Sequence, residues 1–321
     1  MIPYEWLEQA SERIAPYIHK TPLTYDPKLQ LYLKWENHQV TGSFKARGAL
    51  NKILSLHDWE LERGLVTASA GNHGQGVALA AGIRRARVIV FVSEHASPNK
   101  IKAMQELGAD IHFVPGGYAE AERAGIAFAK ETGATWISPY NDGMVIAGQG
   151  TIALEVLQDL PDLTSITWLV PAGGGGLASG IGCALQVTQP HARLFAIQSE
   201  ASPFLHAIFH HGTQDGVVEL PSLADGLAGP VEAGSVTVPM VKKYVDDVIL
   251  VSEVEIRRAI KYAWMNYHEC IEGSAAVTLA ATLSGKVDTG TAVAILTGGN
   301  INPADHVQIV DEEHKGAEQT A

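Results

Sequence analysis

The stretch TGSFKARGAL, residues 41–50, sets a lysine at the opening of a helical pattern. In KARGALNKILSL the apolar residues Ala46, Ala49, Leu50, Ile53 and Leu54 share one face, and Lys45 lies at its edge behind Phe44. A partly buried lysine loses stabilisation of its charge, its pKa falls, and its amine becomes a usable nucleophile. Any one lysine taken singly is more often a surface charge with its stem on apolar ground. The weight therefore falls on what the rest of the chain offers it.

Three further stretches bear on that. PAGGGGLASGIG, residues 171–182, follows the strand pattern TWLV and precedes a helix with Leu177, Ile181, Ala184 and Leu185 at helical spacing. Four successive glycines remove every Cβ, so backbone N–H groups converge on an anion at a helix N-terminus. No GK[ST] follows, so the loop suits a single phosphate rather than a triphosphate. TASAGNHGQGVALAA, residues 67–81, places small residues before a helix opened by Asn72 and His73, with amides suited to a carboxylate and an Asn suited to a ring hydroxyl. In AILTGGNIN, residues 294–302, Thr297 ends a strand, where a hydroxyl can meet a neutral ring nitrogen. One phosphate, a ring with a hydroxyl and a nitrogen, and a carbonyl for an amine to condense with describe pyridoxal 5′-phosphate. The glycine loop also fits a relaxed dinucleotide pattern through Gly173, Gly175 and Ala178, with Glu200 ending the next strand. That keeps an NAD-dependent dehydrogenase as a rival, although a dehydrogenase needs neither a lysine after Ser-Phe nor a second small-residue loop.

These groups must be positioned by regular elements. Strand patterns fall at 87–92, 109–114, 167–172, 192–199, 247–252 and 291–297, several of them almost wholly apolar, as strands buried on both faces are. Helical patterns fill the gaps at 72–85, 97–107, 118–132, 147–158, 177–187 and 253–268. The alternation predicts an α/β protein with parallel sheets covered by helices on both faces. Two clusters of such units, and 321 residues, predict two lobes. The expected division is a large lobe of 1–55 and 143–321 with a small lobe, 56–142, inserted in it. The ligand belongs at the carboxyl ends of the strands.

Composition excludes several function classes. A net charge of −12 argues against nucleic acid and anionic membrane as partners. Two distant cysteines, Cys183 and Cys270, make no disulfide framework. The amphipathic, acidic opening does not read as a signal peptide, and a cytoplasmic location is expected. The polar stretch DEEHKGAEQTA from Asp311 is expected to fray.

The motifs TGSFKARGA, SAGNHGQGVA, AGQGTIALE, AGGGGLASG, LADG and TGGN occur in one order along the chain. In this the chain resembles the fold-type II, or tryptophan synthase β-like, pyridoxal-phosphate enzymes, closest to the serine/threonine dehydratases and serine racemases. The resemblance implies that Lys45 forms the Schiff base and that Phe44 packs beside the ring. It implies that Asn72 bonds the ring 3′-oxygen, that Gly173, Gly174, Gly175, Gly176 and Leu177 grip the phosphate, and that Thr297 meets the pyridine nitrogen. Ser69, Ala70, Gly71, Asn72 and His73 would hold the substrate carboxylate, Gly226 would lie along the ring's edge, and Glu272 would stand near the substrate. Ala70 occupies the position at which racemases carry a serine, so racemisation is expected to be weak. A divalent-cation site of some relatives is matched by Glu200 and the Phe204 carbonyl, but His206 replaces its Asp, which puts a hard cation in doubt.

The activity implied is a lyase reaction: dehydration of L-threonine or L-serine to a 2-oxo acid and ammonia, with a homodimer as the expected assembly. The chain ends soon after TGGN and resembles the short, degradative type. Other readings are β-replacement, dehydration of hydroxyaspartate, racemisation, or silent binding of an amino acid. Loops 139–145 and 226–237 are expected to separate one side chain from another.

Overall fold

The computed structural model describes residues 1–162, 166–287 and 290–311, so the polar stretch beyond Asp311 lies outside the described residues. Among the described residues the strands are β1 (Leu23–Asp26), β2 (Leu31–Trp35), β3 (Leu65–Ala68), β4 (Val88–Ser93), β5 (Asp110–Val114), β6 (Thr135–Trp136), β7 (Thr167–Pro171), β8 (Arg193–Ser199), β9 (Asp247–Val251) and β10 (Ala292–Leu296). They form a six-stranded sheet, ordered β1-β2-β10-β7-β8-β9, and a four-stranded sheet, ordered β5-β4-β3-β6. Every pairing is parallel except β1 with β2. The parallel sheets expected are present, with one antiparallel pairing at an edge, where a short reversal joins Asp26 to Leu31 and no crossover helix is needed.

The six predicted strands are present to within one residue at each end. β7 and β10 are buried along their whole length, consistent with helices on both faces. Helices follow the predicted faces. In Glu253–Tyr267 the buried residues Ile256, Ala259, Ile260 and Ala263 recur at helical spacing behind a Ser252–Glu255 capping box. The helix predicted over 147–158 starts earlier, at Gly143, because the Asp142 carboxylate accepts from the amides of Met144 and Val145 at 2.8 and 3.1 Å.

That helix, Gly143–Asp159, lies against both Lys45–Leu54 and Gly176–Thr188. The approach is close: a Cβ on Gly148 would stand 2.6 Å from the Arg47 carbonyl oxygen. Lys45 is thereby brought beside the glycine loop that follows β7. Among the described residues no helix is long and apolar enough to cross a membrane.

Candidate active site

The loop before Lys45 is stitched to the loop after β10. Phe44 N–H donates to the Thr297 carbonyl at 3.0 Å, Gly299 N–H donates to the Gly42 carbonyl at 3.0 Å, and the Asn300 side-chain amide donates to the Thr41 carbonyl at 2.8 Å. Thr41 and Gly42, with φ of 63° and 70°, reverse the chain sharply. The helix Lys45–Leu54 then starts with Lys45 in its first turn. The Lys45 amine donates to the Pro139 carbonyl at 3.0 Å and lies 5.3 Å from the centre of the Phe44 ring. Burial pulls its pKa down to about 8, against the opposing pull of the Glu272 carboxylate.

Lys45 opens onto a cleft of about 430 Å³ between the two sheets, large enough for a ring cofactor and a small amino acid. Its lining brings together Phe44, Ser69, Ala70, Gly71, Asn72, His73, Gly173, Gly174, Leu177, Gly226, Glu272 and Thr297. Four loops distant in the sequence thus line one cleft. Gly175 and Gly176 do not line the cleft; they turn the chain into the helix Gly176–Thr188, with Gly175 at φ 82°. The first amides of that helix have no partners within it, the arrangement in which a helix N-terminus can accept an anion. The Tyr140 ring packs so near Gly174 that a Cβ there would sit 2.5 Å from it, and the Thr237 hydroxyl holds the Gly174 carbonyl at 2.6 Å.

On the opposite wall Asn72 is held from both sides. Its amide donates to Glu272 at 2.6 Å, and its oxygen accepts from the Asn300 amide at 2.7 Å. Glu272 is pushed up to about 7 by burial first and by the Asp225 charge second, with Lys100, Asn72 and the Asn300 backbone acting the other way. His73 is buried, and its Nε2–H donates to the Ile137 carbonyl at 3.1 Å. Burial, with Lys45 nearby, pulls its pKa down to about 3, so the ring is neutral. The Gly71 amide donates to the Ser69 hydroxyl at 3.2 Å, and the Gly226 amide donates to Ser274 at 2.9 Å.

With this geometry the chain can be set beside known proteins. The sequence pattern of the pyridoxal-phosphate dependent enzyme family matches residues 14–298. The chain belongs to that family. It is 41% identical to an L-threonine ammonia-lyase of Thermotoga maritima over 94% of this chain and 76% of that one. It is 37% identical to the catabolic L-threonine dehydratase of Escherichia coli over 92% of each. A solved structure of maize serine racemase superposes with a TM-score of 0.87 at 31% identity, over 99% of both chains.

The residues present in this pyridoxal-phosphate enzyme fit its cofactor. A deprotonatable amine, a Cβ-free loop at a helix N-terminus and a strand-end hydroxyl stand around one cleft of suitable volume. The dehydrogenase rival falls with the family assignment. Glu200, Phe204 and His206 lie away from the cleft, on β8's exit and the helix Phe204–His211. Among the described residues no three His, Cys, Asp or Glu side chains converge as a metal set.

Sequence reasoning did not single out several side chains of the enzyme's cleft, among them Lys100, Asp225 and Tyr140, nor Asn300 behind its wall. Lys100 pairs with Asp225 at 2.6 Å, and both line the cleft. Tyr140 packs on the glycine loop, and its hydroxyl accepts from the Glu232 amide at 2.8 Å. Asn300 braces Asn72. Asp225 and Asn300 stood inside the motifs LADG and TGGN, and Tyr140 in a loop already singled out. Lys100, in SPNKIK, carried no local signal.

Proposed function

We propose that this enzyme is an L-threonine ammonia-lyase, acting on L-threonine or L-serine in the cytoplasm as a homodimer. The observation that carries the reading is the Lys45 amine, set beside the glycine loop, Thr297 and the amides of residues 69–73 in one cleft. When bound, pyridoxal phosphate supplies an electron sink for the substrate's Cα–H bond. The amides at the start of the helix Gly176–Thr188 would bind its phosphate, Thr297 would offer a hydroxyl to its ring nitrogen, and Phe44 and Gly226 would flank the ring. The backbone of Ser69 to His73 fixes the substrate carboxylate and so aligns Cα–H with Lys45.

Lys45 takes the Cα proton as general base, which a pKa near 8 permits at neutral pH. The amine then returns that proton to the departing β-hydroxyl, which leaves Cβ as water, and later addition of water across the carbon–nitrogen double bond gives the 2-oxo acid and ammonia. Glu272, tied to Asn72, stands beside the substrate. Ala70 offers no proton from its place on the wall, which disfavours racemisation. The lobes divide at residues 1–55 with 143–321 and at 56–142, the cleft lying between them. Support comes from the two threonine-cleaving relatives, one of them alike over 92% of its length.

The test is a panel of L-threonine, L-serine and 3-hydroxyaspartate given to the purified, cofactor-loaded enzyme, scoring ammonia and 2-oxo acid. Threonine or serine should release both in equal amounts. Borohydride should fix the cofactor to Lys45, and Lys45→Ala should abolish release. Ammonia from none of the three, or from hydroxyaspartate alone, overturns the reading.

A further inference from the structure

Behind the helix that carries Lys45, four side chains of opposite charge type pack together, three of them fully buried. Lys34, Glu36 and Arg47 have side chains 0% exposed, and Glu155 is 14% exposed. Arg47 Nε donates to Glu36 Oε2 at 2.7 Å and Nη2 to Glu36 Oε1 at 2.9 Å, a two-pronged contact. The same guanidinium donates to Glu155 through Nη1 at 2.6 Å and Nη2 at 3.1 Å, and to the Thr151 hydroxyl at 3.3 Å. Lys34 completes the set, reaching Glu155 at 2.7 Å and the Thr21 carbonyl at 2.8 Å. The Thr21 hydroxyl donates to Glu36 at 2.6 Å. Two cations and two anions cancel.

The placement of this network is informative. Lys34 lies on β2 and Glu36 just after it; Glu155 and Thr151 lie on the helix Gly143–Asp159. Arg47 therefore ties the Lys45 helix to the sheet and to a neighbouring helix at once. Residues two apart on a helix point roughly 200° apart. Arg47 is held on one side and Lys45 faces the cleft on the other. Apolar side chains would stabilise such a core as well or better. A planar fork gripped by two carboxylates adds something they do not, a fixed rotation of the helix.

We propose that Arg47 is a positioning residue for Lys45: its grip on Glu36 and Glu155 fixes the rotation of the helix Lys45–Leu54, and with it the place of the Lys45 amine in the cleft. This rests on the reading of Lys45 as the base. The alternative is that the network only holds the fold together.

Two variants separate these. Arg47→Lys keeps the charge and loses the fork. Arg47→Met with Glu36→Gln removes the fork and keeps the charges balanced, so that it folds without an unpaired buried carboxylate. Val248→Ala, which trims a buried side chain on β9 away from the cleft, is the control for lost stability alone. The readouts are Tm, kcat and KM for threonine, and the pH midpoint for reductive methylation of Lys45 in cofactor-free protein, followed by mass spectrometry.

Both Arg47 variants should lose about tenfold or more in kcat with KM within about twofold, as misplacement of a reacting group predicts. Their Lys45 midpoint should move from the wild-type value, while Val248→Ala lowers Tm and leaves kcat and midpoint alone. Arg47 variants that lose Tm but keep wild-type kcat and midpoint overturn the proposal. A wild-type protein in which borohydride fixes nothing at Lys45 would instead sink the reading of Lys45, and is distinguishable for that reason.

Discussion

Glu272 is a carboxyl group asked to be buried beside another carboxylate and within reach of an amine. Its pKa of about 7 lies above the ordinary 4.5, so the folded protein binds a proton that the unfolded chain has lost between those values. Stability from this group is present below pH 4.5 and is lost as pH rises through 7, by on the order of 3 kcal/mol. Glu272→Gln should flatten that decline, seen as a Tm of the cofactor-free protein that changes less between pH 4.5 and 7.5 than in wild type. Lys45 runs the other way. Its lowered pKa favours the neutral amine on folding, so stability rises with pH from about 8 toward 10.5. At the proposed partner of the ring nitrogen, Thr297→Asp replaces a neutral hydroxyl with a charge just beyond a strand end. The bound cofactor's absorption should shift and ammonia release should fall at least about tenfold, and an unchanged spectrum would place Thr297 elsewhere. Lys45, Asn72 and Thr297 were legible because each sits at an element end beside small residues. Lys100 was not, because its meaning comes wholly from Asp225, 125 positions away in the chain.

At the scale of elements, the glycine loop is the most constrained. A methyl on Gly174 would stand 2.5 Å from the Tyr140 ring, so loop or ring must move. Gly174→Ala should weaken cofactor binding by about 1–3 kcal/mol through that crowding, measured as cofactor affinity by fluorescence titration. Tyr140→Ala in the same chain should restore part of it. The apolar strands could be read directly from sequence because burial on both faces leaves a continuous run. β2 escaped notice for a physical reason: LYLKW carries Lys34 as its fourth residue, and a lysine in a strand argues against burial until Glu155 is known to face it. β6 is two residues long and has no period to detect. The early start of the helix Gly143–Asp159 was available in principle from Asp142, a capping residue before glycine, but the apolar pattern becomes continuous only later.

For the whole molecule, two sheets meet across a cleft, and Lys100 with Asp225 spans it. The side chains are 22% and 58% exposed, so the pair contributes little to stability, under about 1 kcal/mol, and is screened by salt. Lys100→Met should therefore leave Tm almost unchanged while raising KM for threonine, and high salt should raise the wild-type KM toward that of the variant. A wild-type KM insensitive to salt would remove the pair from any part in closing the cleft. The stitching of Thr41–Phe44 to Thr297–Asn300 has a consequence for how the protein is made. The side-chain bond from Asn300 to Thr41 spans 259 positions. A nascent chain that has produced its lysine early still lacks the far half of the seat until the last strand leaves the ribosome. Vitamin capture should therefore be a late event of biosynthesis, and a transcript cut before codon 297 should yield a polypeptide that stays colourless however much cofactor the medium holds.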